Sequence, residues 1–588
     1  MVEYKWTVLS NTTIGALLAS INSTIILISL PAIFRGLDID PFAGSNFTLL
    51  IWVLLGYGIV TATLLVTVGR ISDMLGRARM YNLGFAIFAA GSVLLFLIPS
   101  SGTTGGLELV LFRIVQGVGG AFLFANSAAL LTDAFPHDER GKALGINQVA
   151  AIGGSVVGLV LGGILVGFGD IHLGALSIPA WRVLFLVSVP FAVFGTAWAY
   201  LKLHDLRAPA KGQKIDWAGN ILFGAGLTIL LVAVTYGLLP YGGQLMGWTS
   251  PWVIAGIVAG IAMLVLFLWV ETKVPEPMFR LHLFRIRAFA AGNVAGFLGS
   301  IARGGVMFML IIWFQGIWLP LHGYSFSETP FWAGVYMLPM IGGFMVFGPV
   351  SGWLSDRFGA RYLASLGMAI GSLTFFLFLT LSYNFTYWQM GVLLFVQGSG
   401  MGMFAAPNTA AIMNSVPAEH RGAASGMRAT LQNVGSQVSM VIFFTIVIAG
   451  LSSGLTGAVH SALLSANVSP PVATQLATAV GANPTGALFG AFLGVNPMTQ
   501  LPLSIQSLLP PVVFTKEWFP HAIAPAFMQG LDESFLIAGI ITVIAALVSL
   551  QRGDKYIHEL QNSTPTKDPA PSSSPEKETP SYSGGTAK

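Results

Sequence analysis

Fourteen long apolar segments, separated by polar breaks, constrain the fold of this chain most strongly. Each is close to or above the roughly 20 mostly apolar residues that a helix needs to cross the hydrocarbon core of a bilayer. The segments cover residues 7–30, 48–69, 80–98, 107–131, 141–168, 181–202, 216–238, 252–271, 287–318, 330–354, 361–382, 387–413, 422–450 and 532–551. The sequence therefore predicts an all-α polytopic membrane protein with fourteen transmembrane helices, the first of which is not a cleaved signal.

The composition supports a membrane protein and excludes several other classes. Only 9% of the residues are charged and 54% are hydrophobic, whereas soluble proteins carry about 25% charged residues. No basic stripe with interleaved aromatic residues accompanies the net charge of +4, so we expect no nucleic-acid partner. The chain has no cysteine, which excludes thiolate chemistry. It also lacks recognisable catalytic, nucleotide-binding or metal-binding motifs, so we expect no enzyme activity, cofactor or metal.

The distribution of lysine and arginine predicts the orientation in the membrane. Of the 28 Lys and Arg residues, all but five lie at the N-terminus, after even-numbered segments or in the C-terminal tail. The five exceptions are Arg35, Arg113, Arg182, Arg303 and Lys516. Because positive charges mark cytoplasmic loops, we expect both termini in the cytoplasm of a cell that carries this protein in its plasma membrane. Residues 552–588, most of them polar, are expected to form a disordered tail.

A long region between the last two segments differs from the other connections. Residues 452–530 are rich in proline, and Lys516 and Glu517 are their only formally charged side chains. A connection of this length is usually functional or disordered, and this one is too apolar for a solvated tail. It forms either a small folded cap on the outer face or a lid that packs into the outer mouth of the bundle.

Two similar loops reveal an internal repeat. The first runs Gly69-Arg-Ile-Ser-Asp-Met-Leu-Gly-Arg-Ala-Arg79, and the second runs Gly352-Trp-Leu-Ser-Asp-Arg-Phe-Gly-Ala-Arg361. Transporters are often built from two repeats with the substrate site between them. The spacing of the loops predicts a half at residues 1–203 and another at 287–551, with two further helices inserted at 204–286.

These loops resemble the signature loop of the major facilitator superfamily, and the chain resembles its fourteen-helix drug:proton antiporter branch. The resemblance implies that the loops act as a conformational latch, and their two copies at symmetric positions favour this role over the alternative, a charge cluster that only sets topology. The residues concerned are Gly69, Asp73, Gly76, Arg77, Arg79, Gly352, Asp356, Arg357, Gly359 and Arg361.

Three further motifs carry the resemblance. Arg113-Ile-Val-Gln116-Gly resembles an element whose arginine is linked to proton coupling in the family; alternatively, Arg113 extends its side chain out to the membrane surface. The glycine spacing of segment 5 resembles the antiporter motif and implies a seam on which helices rock, with Leu159 where the family has proline. The seam residues are Gly145, Gly154, Gly158, Gly162 and Gly163. Asn22 stands where the branch has an acidic residue, and an amide carries no proton at ordinary pH.

The charges inside the predicted membrane region are basic rather than acidic. No acidic residue lies near the centre of any predicted segment, and Asp532 and Glu533 are placed at a helix end. Arg303 lies well inside segment 9, where a guanidinium needs an acceptor. That acceptor is a backbone carbonyl, a water-filled cavity or an anionic ligand, or else an acid at a helix end such as Glu328. Proton coupling would then use peripheral acids such as Glu108, Asp133 or Asp73, or histidines, beside the Arg113 that the resemblance implies. The candidates for the wall of a substrate cavity are Asn22, Tyr57, Gln116, Gln148, Arg303, Gln315 and Gln432.

These observations predict a secondary active transporter that works by alternating access. The resemblance implies proton-coupled efflux of lipophilic drugs or other amphiphilic small molecules by a monomer in the lipid bilayer. The basic residues favour an alternative, the transport of an anionic or lipid-like metabolite. A membrane sensor or scaffold that transports nothing is the alternative from another class.

Overall fold

The structure is a computed structural model that describes most of the chain. The predicted tail, apart from Arg552 and Gly553, and the basic residues Arg207, Lys211 and Lys214 lie outside the described residues. The described residues are 2–39, 46–136, 139–167, 170–173, 176–206, 216–239, 241–244, 246–275, 277, 279–326, 328–417 and 420–553.

Helices make up nearly all of the described structure. Thirteen spans in the described part of the chain are long and apolar enough to cross a membrane, and each corresponds to a predicted segment. The remaining segment, 7–30, lies within a first helix of 35 residues. The helices are α1 (Val2–Gly36), α2 (Asn46–Leu75), α3 (Arg77–Phe96), α4 (Gly102–Ala134), α5 (Arg140–Gly167), α6 (Ala180–Leu186), α7 (Ser188–Lys202), α8 (Trp217–Tyr236), α9 (Pro251–Glu271), α10 (Arg287–Ile312), α11 (Leu319–Leu321), α12 (Thr329–Tyr336), α13 (Leu338–Phe358), α14 (Ala360–Phe378), α15 (Tyr387–Asn414), α16 (Arg421–Ser465), α17 (Pro470–Gly481), α18 (Pro484–Leu493), α19 (Leu503–Gln506) and α20 (Trp518–Leu550).

Several short elements connect or interrupt these helices. A π-helical turn, Trp313–Trp318, joins α10 to α11. Two three-residue strands, β1 (Ile171–Leu173) and β2 (Leu176–Ile178), pair antiparallel with Ile171 opposite Ile178. The 3₁₀ turns are Leu281–Arg285, Pro497–Gln500 and Pro511–Phe514. The all-α prediction therefore holds apart from one small β-hairpin.

The two repeated loops break the chain in the same way. Gly76 immediately precedes α3 with φ 108°, and Gly359 immediately precedes α14 with φ 83°. Side chains with a Cβ rarely adopt these angles, whereas glycine does so at little cost. A Cβ on Gly76 would also lie 2.2 Å from Oδ2 of Asp205, whose Oδ1 accepts a hydrogen bond from the backbone N of Ala78 at 2.8 Å. Glycine at these two positions lets one membrane helix turn sharply into the next.

The helices α8 and α9 form a pair beside the N-terminal helices. A Cβ on Gly226 would lie 2.9 Å from Cβ of Met263, so the two helices touch closely. The pair contacts α2, where Thr67 donates a hydrogen bond to Oδ1 of Asn220 at 2.5 Å. The outer face of α9 is apolar and exposed, with Trp252 83% accessible. This face is therefore suited to contact with lipid.

The last two long helices extend well beyond the predicted segments. The helix α16 has 45 residues, or about 68 Å at 1.5 Å per residue, which is twice the roughly 30 Å of a hydrocarbon core. The helix α20 begins at Trp518 rather than near 532. Asp532 and Glu533 consequently lie in the middle of α20, so the prediction that they lie at a helix end is wrong.

The region between these helices is folded rather than an open loop. It contains α17 and α18, which meet at an angle of 90°, followed by α19 and two 3₁₀ turns. Asn483 begins α18, and its Oδ1 accepts a hydrogen bond from the backbone N of Gly486 at 2.8 Å. Gly494 ends α18 in the left-handed conformation, with φ 74°. We call the end of the bundle that carries this region the α18 end, and the opposite end the Asp73 end.

Candidate substrate cavity

A cavity of about 340 Å³ lies between helices from the two parts of the chain. One wall comes from α1, α2, α4 and α5, and the other comes from α10, α13, α15 and α16. The lining residues are Ser23, Thr24, Leu55, Tyr57, Gly58, Arg113, Ser155, Arg303, Gly304, Met307, Phe308, Ile311, Met340, Met401, Ser436, Gln437 and Met440. Of the seven predicted cavity residues, the structure brings Tyr57 and Arg303 to this wall, together with Arg113.

Arg113 is held inside the bundle by neutral groups. Its Nη1 donates hydrogen bonds to the backbone O of Asn22 at 3.2 Å and to Oε1 of Gln116 at 2.7 Å. Its guanidinium carbon lies 4.7 Å from the ring centre of Tyr57, a distance at which a cation and an aromatic ring attract. The residue is 1% exposed, so it does not extend to the membrane surface as one alternative proposed.

A polar network lies directly behind Arg113. Gln116 donates from Nε2 to Oδ1 of Asn22 at 3.1 Å and to Oγ of Ser92 at 2.8 Å. Asn22 in turn donates to Oγ of Ser188 at 2.6 Å. These bonds join α1, α3, α4 and α7. Asn22 and Gln116 therefore fix the position of Arg113 through interhelical hydrogen bonds and do not line the cavity themselves.

Arg303 differs from Arg113 in having no partner in the described part of the chain. It is partly buried in α10 and lines the cavity. The predicted alternative partner, Glu328, instead accepts hydrogen bonds from Oγ and the backbone N of Ser325 at 2.7 and 3.1 Å. These bonds hold the pKa of the Glu328 carboxyl below its usual range. The structure therefore does not pair Arg303 with Glu328.

Three other predicted residues lie away from the cavity lining. Gln432 accepts a hydrogen bond from Nη1 of Arg428 at 2.8 Å. Gln315 is 2% exposed within the π-helical turn, and no described residue accepts a hydrogen bond from its Nε2. Gln148 is partly buried in α5. The sequence could not distinguish glutamines that face a cavity from those that face a neighbouring helix.

Four methionines that no sequence motif marks form much of the apolar lining. They are Met307, Met340, Met401 and Met440. Methionine has a flexible, polarizable side chain that adapts to ligands of different shape. All four come from helices after residue 286, and each lies in an apolar segment with no local signal to mark it. The cavity therefore combines two basic groups with a deformable apolar surface.

The Gly69–Arg79 loop connects the two parts of the chain at the Asp73 end. Oδ1 of Asp73 accepts from Nε and Nη2 of Arg77 at 2.9 and 2.8 Å. Its Oδ2 accepts from the backbone N of Ala423, in the first turn of α16, at 3.0 Å. Arg77 also donates to Asp133, and Nη1 of Arg421 lies 3.9 Å from Oδ1 of Asp133. A buried charge cluster thus joins α2, α3, α4 and α16.

A second hydrogen bond joins the two parts of the chain near Asp73. The repeated loop, Gly352–Arg361, lies across from the start of α5. Arg140, at the start of α5, donates from Nη1 to Oδ1 of Asn414 at 3.0 Å. Asp356 and Arg357 border a second cavity of about 350 Å³, together with Glu139 and Lys142 of the α5 entrance turn. The guanidinium of Arg357 stacks 4.2 Å from the ring of Trp353. The Asp73 end is therefore closed by polar contacts.

The predicted seam glycines lie at two different interfaces. A Cβ on Gly154 would lie 2.7 Å from a backbone carbonyl oxygen of α1, and a Cβ on Gly158 would lie 2.5 Å from another carbonyl oxygen of the same helix. Gly162 also faces α1, 3.1 Å from the carbonyl of Ile25. Gly145 and Gly163 instead face the C-terminal helices. A Cβ on Gly145 would lie 3.2 Å from the carbonyl oxygen of Gly348, and a Cβ on Gly163 would lie 2.7 Å from the backbone N of Phe331. The helix α5 thus touches the other part of the chain at both ends.

The acids proposed for proton coupling lie outside the cavity lining. Glu108 accepts from Oγ of Ser100 at 2.8 Å, and Asp133 belongs to the cluster around Arg77. Asp532, which the sequence analysis placed at a helix end, is a partly buried acid in the middle of α20. No described residue bonds its buried Oδ1. No group of three or more His, Asp or Glu side chains in the described ranges could hold a metal ion.

The helix α18 packs against the last turns of α10 and the π-helical turn that follows it. The rings of Phe492 and Phe308 are 6.1 Å apart, and those of Phe489 and Phe444 are 5.6 Å apart. Phe308 lines the cavity. A Cβ on Gly316 would lie 3.2 Å from the backbone N of Phe492, so the two backbones approach closely. An aromatic layer thus separates the cavity from the α18 end.

Comparisons with known proteins agree with this architecture. The sequence model of the Major Facilitator Superfamily matches residues 12–239 and 217–440. The chain is 28% identical to the methylenomycin A resistance protein of Bacillus subtilis, covering 76% of this chain and 90% of that protein. It is 26% identical to the tetracenomycin C resistance and export protein of Streptomyces glaucescens, covering 93% and 91%. It is also 26% identical to the riboflavin transporter RibZ of Clostridioides difficile, covering 77% and 90%.

Solved structures with this fold are more distant in sequence. The proton:xylose symporter XylE superposes with a TM-score of 0.53 at 14% identity, covering 93% of this chain and 95% of the symporter. A bacterial homologue of the lysosomal transporter Spinster gives 0.51 at 16% identity, covering 93% and 98%. The sequence match, the helix count and the central cavity lead to one conclusion: this chain is a multi-pass membrane transport protein that belongs to the major facilitator superfamily.

Proposed function

We propose that this protein is a secondary active exporter of amphiphilic small molecules that works by alternating access. The helices of residues 1–203 and 287–551 are two rocking halves, and residues 204–286 are an inserted linker. The observation that carries the proposal is the methionine-rich cavity lined by both halves. A site shared by two halves changes its exposure when the halves rotate. The names of the resistance and export proteins similar to this chain support outward transport.

The two ends of the cavity provide the gates that this mechanism needs. At the Asp73 end, the bond from the backbone N of Ala423 to Asp73 holds the halves together. We assign the Gly69–Arg79 loop the role of a latch, with the repeated Gly352–Arg361 loop as its counterpart. The latch side is the cytoplasmic side of the plasma membrane, as the lysine and arginine distribution indicates, and the α18 end is external. Protons are the proposed coupling ion of a monomeric transporter.

The α18 helix acts as an external plug in this account. Replacing Phe492 by alanine removes the ring that covers Phe308, so the cavity should become accessible from outside. Because the chain has no cysteine, a single Met307→Cys substitution provides a specific reporter in the cavity. Its reaction with an external, membrane-impermeant maleimide should be about tenfold faster in the F492A variant than in the wild-type background. A closed state that loses about 1.4 kcal/mol of stability opens about tenfold more often.

Leu503→Ala is the matched control for the plug, because Leu503 lies in the same region but is 81% exposed. It should leave the labelling rate of Met307→Cys unchanged. Equal labelling rates in the wild-type background and in F492A would show that α18 does not close the cavity.

Export itself is tested in cells that lack their own exporters. Expression should lower the accumulation of an amphiphilic fluorescent dye, and a protonophore should restore accumulation if protons drive export. The Gly163→Leu variant, which we expect to be inactive, is the control for any effect that expression of a large membrane protein has on dye accumulation. Unchanged accumulation of anionic, neutral and cationic dyes would contradict the proposed export of amphiphiles.

A further inference from the structure

The central cavity contains an arginine with no counter-charge. Arg303 lines the cavity wall, and in the described part of the chain it has no hydrogen bond and no ion pair. A charged side chain within the membrane is costly and is usually paired or in contact with a water-filled path. Through the cavity, a partner for Arg303 can be supplied from outside the protein.

The second arginine at the cavity does not compensate this charge. Arg113 bonds only the neutral groups of Asn22 and Gln116 and stacks on Tyr57. None of the described residues that line the cavity is acidic. Two positive charges therefore face one cavity, and a cation in that cavity would be repelled by both.

The remaining surface of the cavity suits a molecule with one polar end. Ser436 and Gln437 of α16 line the same cavity as Arg303, and Oε1 of Gln437 is buried with no partner among the described residues. The four methionines and Phe308 provide the apolar surface. The volume of about 340 Å³ is near the lower end of ligand sites, which span about 300–1,000 Å³. The cavity therefore fits a compact amphiphile rather than a long chain.

We infer that Arg303 binds the anionic group of the transported amphiphile, with the four methionines holding its apolar body. A carboxylate or sulfonate can accept two parallel hydrogen bonds from one guanidinium, a geometry that a lysine cannot reproduce. Bringing an anion to Arg303 also neutralises a charge that the protein alone leaves uncompensated. This inference rests on the proposed function, because it names the substrate class of the same cavity.

The test uses a pair of ligands that differ only in charge. Dansylglycine has a fluorescent naphthalene body and a carboxylate, and its methyl ester has the same body without the charge. Binding of each is titrated by fluorescence to the purified full-length protein in nanodiscs of neutral phosphatidylcholine, so that no anionic lipid competes. Binding is measured without transport, which separates this inference from the proposed export.

Arg303→Gln should weaken the binding of dansylglycine at least about tenfold, the loss expected from one charge-assisted contact, and leave the ester unchanged. Arg303→Lys should recover part of the affinity for the acid. Arg287→Gln is the matched control, because Arg287 lies on the same helix but is exposed outside the cavity. Unchanged thermal unfolding and size-exclusion profiles of each variant establish that it is folded.

The possible results separate the two proposals. Charge-dependent binding that disappears in R303Q supports the anion site, even if the cells show no export, in which case only the proposed function fails. Equal binding of dansylglycine by wild type and R303Q overturns the inference, as does an equal loss of acid and ester. If R303Q exports anionic and cationic dyes as well as the wild type does, the proposed export function stands. The proposed role of Arg303 in binding the substrate is then overturned.

Discussion

Leucine in place of Gly163 should abolish transport while the protein remains inserted and folded. A Cβ at this position would lie 2.7 Å from the backbone N and 2.8 Å from the Cα of Phe331. These are backbone atoms of α12 in the other half, so they cannot move aside as a flexible side chain could. The wedge should prevent closure of the α18 end and lower the transport rate about a hundredfold, equivalent to about 2.7 kcal/mol.

Two other glycines of α5 are matched comparisons for this prediction. Gly145→Leu places its wedge against the carbonyl of Gly348 at the Asp73 end, where a Cβ would lie 3.2 Å away. It should also stop transport, but with the cavity open to the other side. Gly153 has nothing within 4 Å of its Cβ position, so Gly153→Leu should transport normally. If G163L transports as well as G153L in a dye-export assay, the α18 end does not need this contact to close.

Replacing Asp73 by asparagine should slow transport about tenfold, equivalent to about 1.4 kcal/mol. The carboxylate of Asp73 binds Arg77 in its own half and the first turn of α16 in the other half. The start of a helix attracts negative charge, and asparagine keeps the shape but removes that charge. The state closed at the Asp73 end should therefore become less populated. Initial rates of dye export at matched membrane expression measure the effect.

Asp216→Asn is the matched control for the latch. Asp216 also accepts a hydrogen bond at the start of a helix, from the backbone N of Gly219 at 2.8 Å, but that helix, α8, belongs to the proposed linker. Its substitution should leave transport close to the wild-type rate. Full transport by D73N would show that the bond between Asp73 and Ala423 is a feature of one conformation with no role in the cycle.

Much of the architecture was accessible from the sequence because membrane helices are marked by length and composition. The repeated loops were equally readable, since Gly76 and Gly359 supply the positive φ that only glycine adopts easily. The start of α20 was not. Pro520 and Pro525 precede Asp532 and Glu533, and together they resemble the signal for a helix beginning near 532. Proline is tolerated within membrane helices because neighbouring groups satisfy the freed backbone carbonyls, and α20 continues through both.

The cavity was only partly accessible from the sequence. A lone arginine in an apolar segment is costly enough to be noticed, so Arg113 and Arg303 could be identified. Met307 and Met440 could not, because methionine is as apolar as its neighbours. The glutamines were ambiguous, since Gln315 and Gln432 satisfy the same pattern whether they face a ligand or a helix. The contact between Phe492 and Phe308 joins residues far apart in the chain, and no local pattern marks it.

The central claim is that the two halves rock about the cavity, closing one end as the other opens. Because the chain has no cysteine, spin labels can be placed without background. The pair Tyr200→Cys and Tyr362→Cys reports on the Asp73 end, and the pair Leu107→Cys and Trp388→Cys reports on the α18 end; all four residues are exposed. Distances between the labels are measured by double electron–electron resonance in nanodiscs, in the wild-type, G145L and G163L backgrounds.

Alternating access predicts opposite changes at the two ends. G145L should lengthen the distance at the Asp73 end and leave the α18 end closed, whereas G163L should lengthen the distance at the α18 end and leave the Asp73 end closed. Distances that stay the same in all three proteins, or that lengthen at both ends together, would contradict the rocking mechanism.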